Sequence, residues 1–106
     1  MDLQLRNKTA FISGSTAGIG FAIAHSLLKE GAKVIINGRS KDGVDAAVEE
    51  LKKLVNDADV TGLAADFSSA QEVNELIWQL PDIDILVNNA GIFEPKAFAE
   101  IPDEDW

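Results

Sequence analysis

Ser13-Gly14-Ser15-Thr16-Ala17-Gly18-Ile19-Gly20 joins an apolar run, Ala10-Phe11-Ile12, to a helix-like run over residues 19–30. Three glycines between a strand and a helix predict a tight turn with backbone N–H groups facing outward. The positive end of the helix dipole stands behind them, an arrangement suited to a phosphate-like anion. A strand that turns directly into a helix also opens a βαβ unit, so these eight residues set the fold class.

Two periodicities alternate along the rest of the chain. Residues 9–13 read as a buried strand. Residues 19–30 read as a helix with Ile19, Ile23 and Leu27 on its apolar face, ended by Gly31. Residues 33–37 form a second apolar strand. Val44, Ala47, Val48, Leu51, Leu54 and Val55 follow a 3.6-residue period and mark a second helix. A weaker third strand spans residues 60–65. Ser69 and Glu72 have capping-box spacing, and Val73, Leu76, Ile77 and Leu80 follow on a third helix that Pro81 closes. Residues 83–87 make a fourth strand, and residues 103–106 read as the first turn of another helix. The order βαβαβαβ with short connections requires right-handed crossovers and a parallel sheet. The predicted class is α/β, a doubly wound sheet truncated after its fourth strand, with residues 1–106 as one unit.

Composition narrows the partners. Eighteen acids against nine bases give a net charge of −9, which argues against nucleic acid and anionic membranes as ligands. No run approaches the roughly 20 apolar residues of a membrane span, and residues 1–8 lack the apolar stretch of a signal peptide. A cytoplasmic protein is expected. With no cysteine, disulfides and thiolate metal sites are excluded. The acid clusters Asp82/Asp84 and Asp103/Glu104/Asp105 suit turns and helix starts, so no metal site is expected. His25, the single histidine, falls mid-helix, where a packing or surface role is expected. Trp78 lies off the apolar stripe of the third helix, which predicts partial exposure or a neighbouring contact.

The fourth strand ends in Asn88-Asn89-Ala90-Gly91, at the carboxyl edge where open α/β sheets bind ligands. The run over residues 13–20 and the run over residues 88–91, separated by this βαβαβ pattern, resemble the short-chain dehydrogenase/reductase family over essentially the whole chain. The resemblance implies a Rossmann-like fold that binds NAD or NADP. It assigns Gly14 to the tight turn, and Ser15 and Thr16 to the adenosine side of the cofactor. Gly18, Ile19 and Gly20 would let the backbone approach the pyrophosphate. Asp66 would accept a bond from the adenine amino group, with Phe67 flanking the ring through its backbone. Asn88, Ala90 and Gly91 would line the cofactor ribose and steady the sheet; for Asn88, a buried amide tying neighbouring strands is an equal alternative. Ser13 stands where the family usually has threonine.

Cofactor choice turns on the end of the second strand. A fold selecting NAD places an acid about 20 residues after the glycines, on the ribose hydroxyls. Here that place is Asn37-Gly38, followed by Arg39, Ser40 and Lys41. A guanidinium suits a 2′-phosphate through paired charge-assisted bonds, so Arg39 with Ser40 points to NADP, with NAD the alternative. Ala17 occupies the place where NADP-preferring relatives often carry a second basic residue.

The resemblance further implies a catalytic tyrosine, a lysine four residues later, a substrate-orienting serine and a supporting asparagine. The sequence contains no tyrosine, and no catalytic residue is expected within it. Two classes of function follow. One is the amino-terminal, cofactor-binding portion of an oxidoreductase moving hydride between NADP and a small carbonyl or alcohol. The other is a non-catalytic nucleotide-binding or self-associating module. A strand order of 3-2-1-4 would leave the fourth strand as an apolar edge, which predicts a homo-oligomer.

Overall fold

Seven elements alternate in the computed structural model, which describes residues 5–66 and 68–89: β1 (Thr9–Ile12), α1 (Gly18–Lys29), β2 (Lys33–Gly38), α2 (Lys41–Leu54), β3 (Val60–Ala64), α3 (Ala70–Gln79) and β4 (Ile85–Val87). Phe67, Ala90, Gly91 and the helix start expected at residues 103–106 lie outside the described residues. The strands form one parallel sheet in the order β3-β2-β1-β4, the predicted arrangement. Phe11 pairs with Ile35 on one side and with Leu86 on the other.

Alternation along β1 and β2 divides the core into two layers. Ile12, Val34 and Ile36 meet Ala24 and Leu28 of α1 and Val44, Ala47 and Leu51 of α2. Phe11 and Ile35 point to the opposite face, where Leu76 of α3 and Ala65 cover them. Helices on both faces bury the near-continuous apolar strands, as a parallel sheet requires.

Local signals explain the boundaries. Ser40 caps α2 by accepting from the Gly43 N–H at 3.1 Å, with Asp42 in the first turn and Lys52 and Lys53 in the last to complement the dipole. At the end of α1, Gly31 adopts φ +92°. Its N–H bonds Leu28 O and the Ala32 N–H bonds Leu27 O, both at 3.1 Å, the Schellman arrangement.

Five expectations are corrected. Ile19 is 72% exposed; the sheet-facing stripe of α1 is Gly20, Ala24 and Leu28, with Ile23 and Leu27 only partly buried. The stripe starts with a glycine because the first turn of α1 packs against the glycine turn, where a Cβ on residue 20 would lie 2.6 Å from Gly14 O. The capping box of α3 is half made. Ser69 Oγ accepts from the Glu72 N–H at 3.3 Å, but Glu72 Oε1 accepts from the Asp66 N–H at 3.0 Å. The Ser69 N–H is already bonded to Asp66 O, so Glu72 turns to the next donor. β4 begins at Ile85: Asp84 still donates its N–H to Thr9 O at 2.8 Å, but its carboxylate takes the Thr9 N–H at 2.9 Å, and the ladder ends there. Leu54 and Ile77 are exposed at the margins of their helices. Trp78 is 88% exposed, further out than its place off the stripe required.

Candidate functional site

The glycine turn meets the sheet at the carboxyl ends of β1, β2 and β4. Gly14 and Gly18 take φ +58° and +64°, values that branched residues rarely adopt. A Cβ on Gly18 would meet open space, whereas one on Gly20 would lie 2.6 Å from Gly14 O and 2.9 Å from Ser15 Cα. Conformation therefore requires the one glycine and close approach the other. The resulting N-terminus of α1 has Ala17 as its cap residue, no side-chain cap and no acid in its first turn. Both α2 and α3 carry a serine cap and a first-turn acid. The backbone N–H groups of the first turn of α1 are thus left for a ligand, and the local field favours an anion.

Beneath the turn, Ser15 and Asn37 lock β1 to β2. Ser15 Oγ, fully buried, donates to Ile12 O at 2.7 Å and accepts from the Asn37 N–H at 2.8 Å. Asn37 Oδ1 accepts from the Gly14 N–H at 3.1 Å, and Asn37 Nδ2 donates to Leu63 O at 3.0 Å. The Ser15 hydroxyl is committed inside the fold, so its side chain shapes the turn. Thr16, next along, is half-buried at the surface.

At β4, Ser13 Oγ donates to Asn88 Oδ1 at 3.2 Å and accepts from the Asn89 N–H at 2.9 Å. Asn89 Nδ2 donates to Gly14 O at 2.9 Å. The amide that ties the fourth strand to the glycine turn belongs to Asn89, while Asn88 is exposed. Neither Asn37 nor Asn89 stood out in the sequence as a site residue. For Asn37 a signal existed: asparagine is depleted in strands, so one ending a buried apolar strand has a polar partner to satisfy.

Beyond β2, Gly38 is buried, and Arg39 and Ser40 are exposed at the start of α2. The neighbouring Lys41 ammonium is tied to Asp45 Oδ2 at 2.8 Å. Across from them, Asp66 follows β3, its Oδ1 accepting from the Ser68 N–H at 2.9 Å and the Ser68 hydroxyl at 2.7 Å. These two bonds hold the Asp66 carboxyl below the usual carboxylate range. The Arg39 charge adds to the effect and partial desolvation opposes it. The fold therefore brings Gly14, Thr16, Gly18, Ile19, Gly20, Arg39, Ser40, Asp66 and Asn88 to the carboxyl edge of one sheet. His25 sits on the middle of α1, away from that edge. Among the described residues no group of three or more His, Cys, Asp or Glu could hold a metal, and no helix is long and apolar enough to cross a membrane.

The surroundings fit a dinucleotide: a glycine turn packed backbone to backbone at Gly20, open space beside Gly18, uncapped N–H groups, and an arginine and a carboxylate flanking it. Known proteins agree. The family model for short chain dehydrogenases matches residues 8–106. The uncharacterized oxidoreductase YvaG of Bacillus subtilis is 49% identical over the whole chain, which spans 40% of that protein. The 3-oxoacyl-[acyl-carrier-protein] reductase FabG of Aquifex aeolicus is 39% identical, again over the whole chain and 44% of the relative. Among solved structures, L-sorbose reductase from Gluconobacter frateurii, complexed with NADPH and L-sorbose, superposes with a TM-score of 0.77. It is 34% identical, over the whole chain and 41% of that structure. The chain thus spans about two fifths of the length of these relatives. On sequence, on sheet order and on the geometry of the glycine turn, the chain belongs to the short-chain dehydrogenase family.

Proposed function

We propose that residues 1–106 form the dinucleotide-binding portion of an oxidoreductase that moves hydride between NADP(H) and a small carbonyl or alcohol. The observation that carries this reading is the uncapped N-terminus of α1 above Gly20, ready for a pyrophosphate. In this reading Gly14, Thr16, Gly18 and Ile19 border the cofactor through backbone and loop surface, and Ser15 supports the turn. Asp66 and Phe67 take the adenine end; Asn88, Ala90 and Gly91 take the ribose. Arg39, with Ser40 beside it, meets the 2′-phosphate. NADPH in the L-sorbose reductase complex supports that choice, as does the lack of an acid at positions 37 and 38.

The bound nicotinamide would supply the hydride; this chain would hold and orient its adenosine half. With no tyrosine in the sequence, the chain by itself binds without turnover, since a positioned acid/base group contributes about 10²–10⁴-fold to such steps. Calorimetric titration with NADP⁺ and NAD⁺ tests the reading. A charge-assisted contact is worth about 1.5–3 kcal/mol, so NADP⁺ binds on the order of 10–100-fold more tightly, and Arg39→Ala removes the difference. Equal affinities in the parent chain, insensitive to Arg39, would refute the preference.

A second reading, self-association, rests on β4. It is the outermost described strand beside β1, and its Leu86 is 42% exposed. A second copy pairing along that edge would cover Leu86. Light scattering over a concentration series distinguishes a dimer from a monomer.

A further inference from the structure

Gly38 ends β2, within the Asn37-Gly38 place where a fold selecting NAD would carry its acid. The space above it is already filled. A Cβ at position 38 would lie 2.5 Å from Thr16 Cγ2 and 3.1 Å from Val44 Cγ2. Both neighbours are β-branched and stiff about their first side-chain torsion, and they approach from different elements. Val44 cannot yield. It is buried in the first turn of α2, with its other methyl seated over Gly62 of β3, where a Cβ would collide with it outright. Any side chain at position 38 must therefore push on Thr16, and Thr16 belongs to the glycine turn.

We propose that Thr16 is a specificity-determining residue: with Val44 behind it, its methyl keeps position 38 free of side chains and so bars an acid that would select NAD. Cofactor choice is then written in a pair of positions, 16 and 38, and not in the β2 terminus alone. An acid introduced at 38 opposite an intact Thr16 displaces the turn that receives the pyrophosphate, and affinity for both dinucleotides falls. Shrinking residue 16 returns the space, and only then can the acid reach a ribose. This inference rests on the dinucleotide reading of the site.

The test is a pair of double-mutant cycles on the purified chain. The first reads thermal unfolding without ligand, using Gly38→Ala, Thr16→Ala and the double variant. Gly38→Ala alone is expected to lower the melting temperature by about 4 °C or more, and by clearly less when Thr16 is already alanine. The second reads calorimetric affinity for NAD⁺ and NADP⁺, using Gly38→Asp with and without Thr16→Ala. The double variant is expected to bind NAD⁺ at least tenfold more tightly than Gly38→Asp alone. Additive melting temperatures, or equal NAD⁺ affinities in the single and double variants, would overturn the proposal. A parent chain that binds neither dinucleotide while the melting cycle still shows coupling would instead overturn the dinucleotide reading, and the selectivity claim with it.

Discussion

Asn89 Nδ2 donates to the carbonyl of Gly14 at 2.9 Å, closing the end of β4 onto the glycine turn across 75 positions of sequence. The same side chain lies 2.7 Å from where a Cβ on Gly20 would stand. One amide thus fixes the turn from the strand side and forms part of the wall that requires glycine at position 20. Asn88, its neighbour, is exposed, and its side-chain oxygen lies 3.2 Å from Ser13 Oγ. The two asparagines are adjacent in sequence and unlike in consequence.

That difference is measurable. Asn89→Ala removes its Nδ2 bond to Gly14 O and is expected to cost about 1 kcal/mol, a fall of roughly 4–8 °C in melting temperature for a domain of this size. Asn88→Ala is expected to cost less than half as much. Thermal unfolding of both variants by circular dichroism checks the order; a larger loss from Asn88 would place the tie in the wrong residue.

Gly18 and Gly20 separate two reasons for a glycine. Gly18→Ala meets no atom but must hold φ +64°, a strain of about 1–2 kcal/mol. Gly20→Ala drives a methyl against Gly14 O and Ser15 Cα, backbone atoms that cannot rotate aside. Overpacking of this kind costs about 1–3 kcal/mol, and here it also deforms the anion cradle. Urea unfolding should show both variants destabilised. Cofactor titration should show Gly20→Ala the more impaired in binding, and a Gly20→Ala chain that binds like the parent would count against the cradle.

Strand order, helix count and the two-motif carboxyl edge were legible because they rest on local signals: glycine spacing, apolar period and short connections. Ile19 misled because its spacing to Ile23 and Leu27 is regular. What turns the helix is the close packing of Gly20 on the Gly14 carbonyl, which sequence periodicity does not encode. Asn37, Asn89 and the contact of Thr16 with position 38 were hidden for a related reason. Each is a long-range polar or steric match that exists only once separate strand ends converge. The Glu72 side chain makes the same point on a smaller scale, since its partner depends on which N–H the preceding turn leaves open.

Asn37 should tolerate almost nothing. Its side chain is buried, accepts from the Gly14 N–H and donates to Leu63 O. Asn37→Leu keeps the volume but strands a donor and an acceptor, each unsatisfied group costing about 1–3 kcal/mol. Asn37→Asp keeps the acceptor toward Gly14 and sets a second acceptor against Leu63 O. Chemical denaturation should rank the parent well above both variants. Either variant matching the parent would mean that water or another group replaces the lock.

Asp66 gives the chain a defined response to acid. Its carboxyl is held below the ordinary range first by the Ser68 N–H and then by the Ser68 hydroxyl, with help from Arg39. A group whose pKa is lowered by folding stabilises the fold above its unfolded value, and the contribution is lost as pH falls through the folded one. Asp66→Asn preserves an oxygen acceptor for Ser68 and removes only the charge, so the comparison isolates the ionised form. Unfolding midpoints measured from neutral pH down into the acid range should show the parent ahead of the variant at neutrality. The gap should close as pH drops through and below the usual carboxylate range of about 4. A gap that stays constant, or that widens in acid, would show that the hydrogen bonds to Ser68 do not depend on the charge.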